Sequence, residues 1–363
     1  MTAPRPPCAP AARHASYDRP GHAGTTTPRR ATGWRWYHLG PLALALLTPL
    51  LLPWWLGGEG TLAALAAFPL PLLALMTAIA VLCWNLNAAR WRLLFSGRAG
   101  RLGQDGALAL EMAAKFALCA TPGGSGGAAT FLLLLARRGY PPARASAIYL
   151  VDQACDLLFF ALMLGLLVTA TLTGAIDWPH RALMAGALLG LGLLLGGLGL
   201  ALAALPRLLR RTPWLAWPGP RRRRRLARQL LAARRTLIAT LRLPPRVLSA
   251  VFALCALHWL LRYSLLYLAV LGVAGQGEAL ADWAWTFLVQ MLAMAASQLS
   301  VLPGGAGTAE LSVGALLLPL MERDQAAAAV VIWRLISYHL YLLAGAPVFA
   351  VQASRWLARP VAS

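Results

Sequence analysis

Residues 182–205 run almost entirely in Leu, Gly and Ala and contain no charged side chain. An α-helix rises 1.5 Å per residue, so roughly 20 apolar residues cross the ~30 Å hydrocarbon core of a bilayer. The run does not alternate, as the strand of a transmembrane barrel would. Comparable runs lie at 38–56, 61–84, 145–172, 247–273 and 326–353. The chain therefore reads as an all-α integral membrane protein with about six full spans. Composition agrees: 59% of the 363 residues are hydrophobic and 12% are charged, too little charge to cover a soluble domain of this length.

The net charge of +21 is carried by Arg almost alone, Lys115 being the single lysine. In a soluble protein this balance would suggest nucleic acid. Here the arginines fall between apolar runs, where basic loops set orientation, and nucleic-acid binding is excluded. Cys8, Cys83, Cys119, Cys155 and Cys255 have no C-x-x-C spacing and read as packing residues; no metal site or cofactor is expected. Residues 1–37, rich in Pro, Thr, Ala and Arg, read as a disordered basic cytoplasmic tail. Residues 38–353 form the membrane domain and 354–363 a short cytoplasmic tail.

Loop charge orders the spans. The stretches holding Arg90, Arg92, Arg98 and Arg101, then Arg137, Arg138 and Arg144, then 207–246, and finally Arg355 and Arg359 are expected to be cytoplasmic. The poorly basic connections 57–60, 173–181 and 274–283 are expected outside, with both termini inside and the chain in a bacterial inner membrane. This threading works only if 107–135 enters and leaves on one side and 284–320 on the other. The pieces 107–120 and 128–136 are each too short to cross. Each region is interrupted by a sequence that cannot continue a helix: Thr121-Pro-Gly-Gly-Ser-Gly-Gly127 and Pro303-Gly-Gly-Ala-Gly307. Both read as re-entrant helical hairpins, with Pro122, Gly123, Gly124 and Gly126 at one tip and Pro303, Gly304, Gly305 and Gly307 at the other.

The tips share the pattern P-G-G-x-G-x-A, and each is followed by a short helix, a polar turn and a full span. Asp152 and Asp156 in the first following span fall near the offset of Arg334 and Tyr338 in the second. The two halves are thus expected to form an inverted repeat, an architecture shared by many secondary transporters.

Ionisable residues inside spans are costly and mark functional candidates. Glu310 follows the second tip, where a carboxylate can cap the half-helix or pair with Arg334. Arg334 lies too deep in the final span to reach the surface easily, and can pair with Glu310 or hold a lipid phosphate. Asp152 and Asp156, four residues apart, share a helix face and could hold a cationic headgroup, relay protons or pair with Arg262. Glu111 and Lys115, also four apart, can satisfy each other; His258 reads as a core or cavity-lining histidine; Gln298 is a polar group beside the second tip. The tip glycines either allow close packing or present N–H groups to an anion. Neither tip has the G-K-[ST] ending of a P-loop. Within 207–246, Leu226, Leu230, Leu237 and Leu241 recur at helical spacing among arginines, suiting an amphipathic helix on anionic lipid headgroups.

T-P-G-G-S-G-G at 121–127, R-R-G at 137–139 and the span bearing Asp152 and Asp156 resemble the first half of the lysylphosphatidylglycerol synthase transmembrane (flippase-like) family. Gln298-Leu-Ser-Val-Leu-Pro-Gly-Gly-Ala-Gly-Thr-Ala-Glu310, with Arg334 and Tyr338 beyond it, is similar to the second half. The resemblance runs from about residue 35 to about 355. It implies a lipid-translocation fold with two re-entrant hairpins, a homodimeric assembly, and Glu310 and Arg334 as the facing pair of a translocation cavity. It covers the membrane domain only, and no aminoacyl-transferase domain is expected. The leading expectation is a transporter moving a polar phospholipid or lipid-linked intermediate between leaflets. The alternatives are an intramembrane lipid-modifying enzyme, for which only Asp152, Asp156 and His258 offer parts, and a non-transporting subunit of a lipid-modifying complex.

Overall fold

The computed structural model describes residues 39–95, 102–176, 238–275, 279–297, 300 and 302–357, with short helical pieces between 185 and 236. Every regular element among them is helical. In chain order they are α1 (Leu39–Gly57), α2 (Glu59–Ala66), α3 (Leu70–Phe95), α4 (Gln104–Cys119), α5 (Ser125–Arg137) and α6 (Pro142–Leu172). The second half comprises α7 (Pro245–Ala274), α8 (Ala279–Ser297), α9 (Thr308–Leu317), α10 (Arg323–Arg334) and α11 (Leu340–Leu357). A π-helical turn, Leu335–His339, makes α10 and α11 one continuous rod.

Among the described residues, four helices are long and apolar enough to cross a membrane: Leu70–Phe95, Pro142–Leu172, Pro245–Ala274 and Arg323–Arg355. The expected span at 38–56 corresponds to α1, 19 residues with Pro49 and Pro53 inside. The expected span at 182–205 lies largely outside the described residues, as does most of 207–246 and all of the 1–37 tail. The expected span 61–84 requires correction. Pro69 breaks the chain after α2, and α3 then runs on to Phe95, carrying Asn87 and Arg90 into the interior. With no Pro or Gly between Leu72 and Ser96, nothing stops the helix at 84.

The two halves share an order: a long helix (α3 or α7), a pair of shorter helices joined by a P-G-G turn (α4–α5 or α8–α9), then another long helix (α6 or α10–α11). α3 packs on α7 at the centre, α4 on α11, and α1 on α10. Pro142 and Pro245 begin α6 and α7 at the first helical position, where the missing N–H costs nothing. The two P-G-G turns meet through an isolated antiparallel bridge between Pro122 and Pro303.

The connections sort by charge in space. Gly57 and Gly60, in the poorly basic 57–60 link, lie against Asp324 at the start of α10. At another surface, Arg138 and Arg355, from two basic stretches, line one groove. Most of the largest apolar cluster joins α3, α6, α7, α8 and α10, with Phe287, Leu265 and Met76 fully enclosed. Outward faces are apolar too: Leu158, Leu162 and Leu166 on α6 and Leu343 on α11 are at least half exposed, as a hydrocarbon solvent permits.

Candidate functional site

Among the described residues, one buried ionic cluster joins α3 to α6 and a second lies beside the second P-G-G turn. In the first, Arg90 of α3 reaches α6, with Nη2 2.5 Å from Asp152 and Nη1 2.8 Å from Asp156. Arg90 is 3% exposed and Asp152 1%, so this guanidinium has left water and pairs with two carboxylates at once. The i, i+4 spacing of the aspartates sets both on the face that meets α3 and α7. Asp156 also accepts hydrogen bonds from Trp259 Nε1 of α7 at 2.9 Å and from the Cys255 thiol at 3.3 Å. Gln153 Nε2 spans the pair, 3.3 Å from Asp152 and 3.2 Å from Asp156.

Beside this cluster Glu111 of α4 is buried and accepts from Asn87 Nδ2 at 2.8 Å and Trp91 Nε1 at 2.9 Å. Lys115 stands farther off, 3.7 Å from the same carboxylate and partly exposed. Glu111 and Lys115 thus pair as their spacing suggests, and α3 supplies closer donors to the same carboxylate. His258 is buried on α7 and linked through Nδ1 to the Cys83 carbonyl at 3.1 Å, a core histidine joining α3 to α7. A cavity of about 50 Å³ opens among Arg90, Glu111, Lys115, Asp152 and Gln153. That is room for a water or two.

The second cluster lies behind the second turn. Arg334 Nε is 2.5 Å from Glu310 Oε1, and both residues are 3% exposed. Glu310 stands in the first turn of α9 but makes no capping hydrogen bond; its partner is Arg334. The second oxygen, Oε2, has no hydrogen-bond partner among the described residues. Arg334 Nη2 points toward the Gly304 carbonyl at 3.5 Å, and the guanidinium lies over the Trp333 and Tyr338 rings at 4.9 and 5.3 Å. Tyr338 faces the Cys119 carbonyl at the end of α4, 3.4 Å away, which ties the last helix to the first turn.

The π-helical turn begins directly after Arg334. Such a turn inserts one residue, swings side chains off the α register and leaves carbonyls open. The Ser337 carbonyl accepts from Arg262 Nη2 at 3.3 Å, and Arg262 also donates to the Tyr341 hydroxyl. His339 sets Nδ1 3.2 Å from the Arg334 carbonyl and Nε2 2.9 Å from the Leu46 carbonyl of α1. Arg262 thus belongs with Tyr341 and the π turn. The aspartates that Arg262 was a candidate to neutralise are taken by Arg90, an arginine that loop charge alone assigned to a cytoplasmic stretch. Gln298 lies outside the described residues.

The turns themselves need glycine. Gly123, Gly124, Gly304 and Gly305 all have φ between 57° and 69°. A Cβ on Gly304 would also sit 2.1 Å from the Tyr338 ring, so this turn can approach the last helix only without a side chain.

Asn87, Gln290 and His339 are buried polar residues that the sequence reading did not name as candidates, and Arg90 is buried where loop charge had placed it in a cytoplasmic stretch. Gln290 accepts from Trp333 Nε1 at 3.0 Å and donates to the Tyr263 carbonyl, locking α8 to α7 and α10. The available signal was Asn87 and Arg90 one turn apart in a helix that no breaker ends before Phe95. Among the described residues, no group of three or more His, Cys, Asp or Glu side chains could hold a metal ion.

A family model described as "Lysylphosphatidylglycerol synthase TM region" matches residues 41–345. No curated protein matches the chain.

Proposed function

We propose that this chain, which belongs to the lysylphosphatidylglycerol synthase transmembrane family, is a transporter that moves a polar phospholipid or lipid-linked intermediate between leaflets. The family makes it a membrane protein of lipid metabolism or transport; translocation is our reading of its interior. In this reading the α4–α5 and α8–α9 pairs are re-entrant hairpins of opposite sense, the segment near 182–205 supplies a further crossing, and the spans number six. The protein sits in a bacterial inner membrane with both termini in the cytoplasm, in keeping with the basic loops.

One observation carries the proposal. The bundle buries two ionic clusters, Arg90 with Asp152 and Asp156, and Arg334 with Glu310, and its two P-G-G turns meet at the bridge between Pro122 and Pro303. Replacing such a pair with apolar side chains is often neutral or stabilising, so an ion pair inside an apolar bundle calls for a use beyond stability. A lipid headgroup that enters between the hairpin tips loses its water. Arg334 and Arg262 can replace that water for a phosphate, and Asp152, Asp156 and Glu310 can do so for a cationic group, while the tails stay in the bilayer. With about 50 Å³ free at the first cluster, a headgroup needs the tips to part, so the closed arrangement corresponds to a resting or occluded state. Tyr338, seated between Arg334 and the end of α4, would sense that parting.

Anionic headgroups against 207–246 and a homodimer complete the proposal. A transporter is favoured over an enzyme because the buried charges among the described residues pair with one another, and the Cys255 thiol that reaches Asp156 is fully buried, out of a substrate's reach. The test is headgroup exchange in proteoliposomes. Glu310→Gln and Arg334→Gln, expressed and folded at normal levels, should lower the rate at least tenfold; unchanged exchange in both would overturn the assignment. A deletion strain separates the alternatives: a misplaced lipid fits a transporter, and a lipid species that is never made fits an enzyme.

A further inference from the structure

Away from both ionic clusters, α4, α5 and α11 enclose an open groove of about 480 Å³. Its floor is the first turn of α4, with Gly106 and Ala109; its far wall is the outer face of α11. Along α11 the residues Pro347, Val348, Val351, Gln352 and Arg355 follow the 3.6-residue period and present one face to the groove. That face is apolar from Pro347 to Val351 and ends on Gln352 and a cation. Opposite Arg355 stands Arg138, the C-cap of α5, which lays Nη1 3.2 Å from the Gly106 carbonyl. A Cβ at Gly106 would meet that nitrogen at 3.0 Å, so a larger residue there would push the guanidinium aside by a few tenths of an ångström.

Neither arginine has a carboxylate within ion-pair distance among the described residues, although Asp105 also lines the groove. Arg138 and Arg355 are both exposed. Two unpaired guanidinium groups above an apolar wall, at the end of a helix long enough to cross the bilayer, complement one kind of molecule. The forks of the two arginines suit a phosphate, and the wall of Pro347, Val348 and Val351 suits an acyl chain. A soluble anion would use the cations and waste the wall, and a zwitterionic lipid would set its own cation against Arg138 and Arg355.

We propose that this groove is a binding site for an anionic phospholipid of the surrounding leaflet, separate from the translocation pathway. Because the lipid would touch α4, the α5 cap and α11 together, it would clamp the first hairpin to the last helix.

The full-length protein in a mild nonionic detergent allows the test. Dioleoylphosphatidylglycerol should raise the melting temperature by on the order of 5 °C. Dioleoylphosphatidylcholine and inorganic phosphate should not. The Arg138→Gln/Arg355→Gln variant, altered only at exposed side chains, should lose the rise while melting normally without lipid. Val351→Trp, which fills the groove but keeps both charges, should lose it as well. Glu310→Gln should keep it, since that side chain lies in the other site, so failure here and failure of the transport proposal can be told apart. An equal response to phosphatidylcholine or to phosphate, an equal response in both groove variants, or no response in the wild type would each overturn the proposal.

Discussion

Replacing Arg90 with Gln should destabilise the folded protein more than any other single change of one polar residue for another in the first half. Arg90 lies 2.5 Å from Asp152 and 2.8 Å from Asp156, and its side chain is 4% exposed. Asp156 would keep the Trp259 indole N–H at 2.9 Å and the Gln153 amide at 3.2 Å. Asp152 would keep only the Gln153 amide, at 3.3 Å, among the described residues. The cost therefore falls on one buried carboxylate beside a cavity of only about 50 Å³. Breaking a buried ion pair in this way costs about 3–5 kcal/mol. With roughly 2–4 °C of melting temperature per kcal/mol in a sizeable domain, the shift should be on the order of 10 °C. The assay is built into the chain: Cys83, Cys119 and Cys255 are free thiols buried in the fold, so a thiol-reactive fluorophore reports unfolding directly. The decisive comparison is Arg90→Gln/Asp152→Asn, which removes one charge of each sign and should recover most of the loss. If the single variant melts with the wild type, or the double variant melts no higher than the single, the carboxylate-stranding argument is wrong.

Three further outcomes follow from other parts of the structure. Gly304→Ala, with a φ of 62° and a Cβ 2.1 Å from Tyr338, should abolish folded expression; Gly58→Ala, at φ 72° with nothing within 4 Å, should cost only about 1 kcal/mol by thermal melting. Cysteines at Pro122 and Pro303, in a background with the native cysteines replaced, face each other across the bridge. They should cross-link on mild oxidation and stop lipid exchange; full exchange by the cross-linked protein would mean that the tips do not part. A membrane-impermeant maleimide should label single cysteines at Gly139 and Ser354 from the same side of the bilayer and one at Gly58 from the other. Labelling of all three from one side would dismantle the orientation.

Much of the plan was legible in the chain because a membrane writes its demands in simple periods. The lengths of the apolar runs, the P-G-G interruptions and the repeat of P-G-G-x-G-x-A anticipated the long helices and the two turned pairs. The same reading offered the pairing of Glu310 with Arg334 beside helix capping and a lipid phosphate, and in the fold the two side chains meet. It went astray at Arg90. Loop charge treats every arginine beyond an apolar run as topogenic, and only the continuation of α3 to Phe95 turns this one inward to the aspartates. Arg262 was misjudged as a partner for Asp152 and Asp156 for the complementary reason, because the π turn at Leu335–His339 offers it a carbonyl that sequence cannot reveal.

The sequence by itself determined the class of fold, the two P-G-G break points and the necessity of glycine in both turns, because these depend on local length, hydropathy and backbone sterics. Only the tertiary structure decided which charges neutralise which, that Pro122 and Pro303 touch, and that Arg138 and Arg355 border one groove. Those pairings join residues from distant stretches of the chain. They are set by how α3 meets α7 and α4 meets α11, and no local pattern encodes a helix crossing.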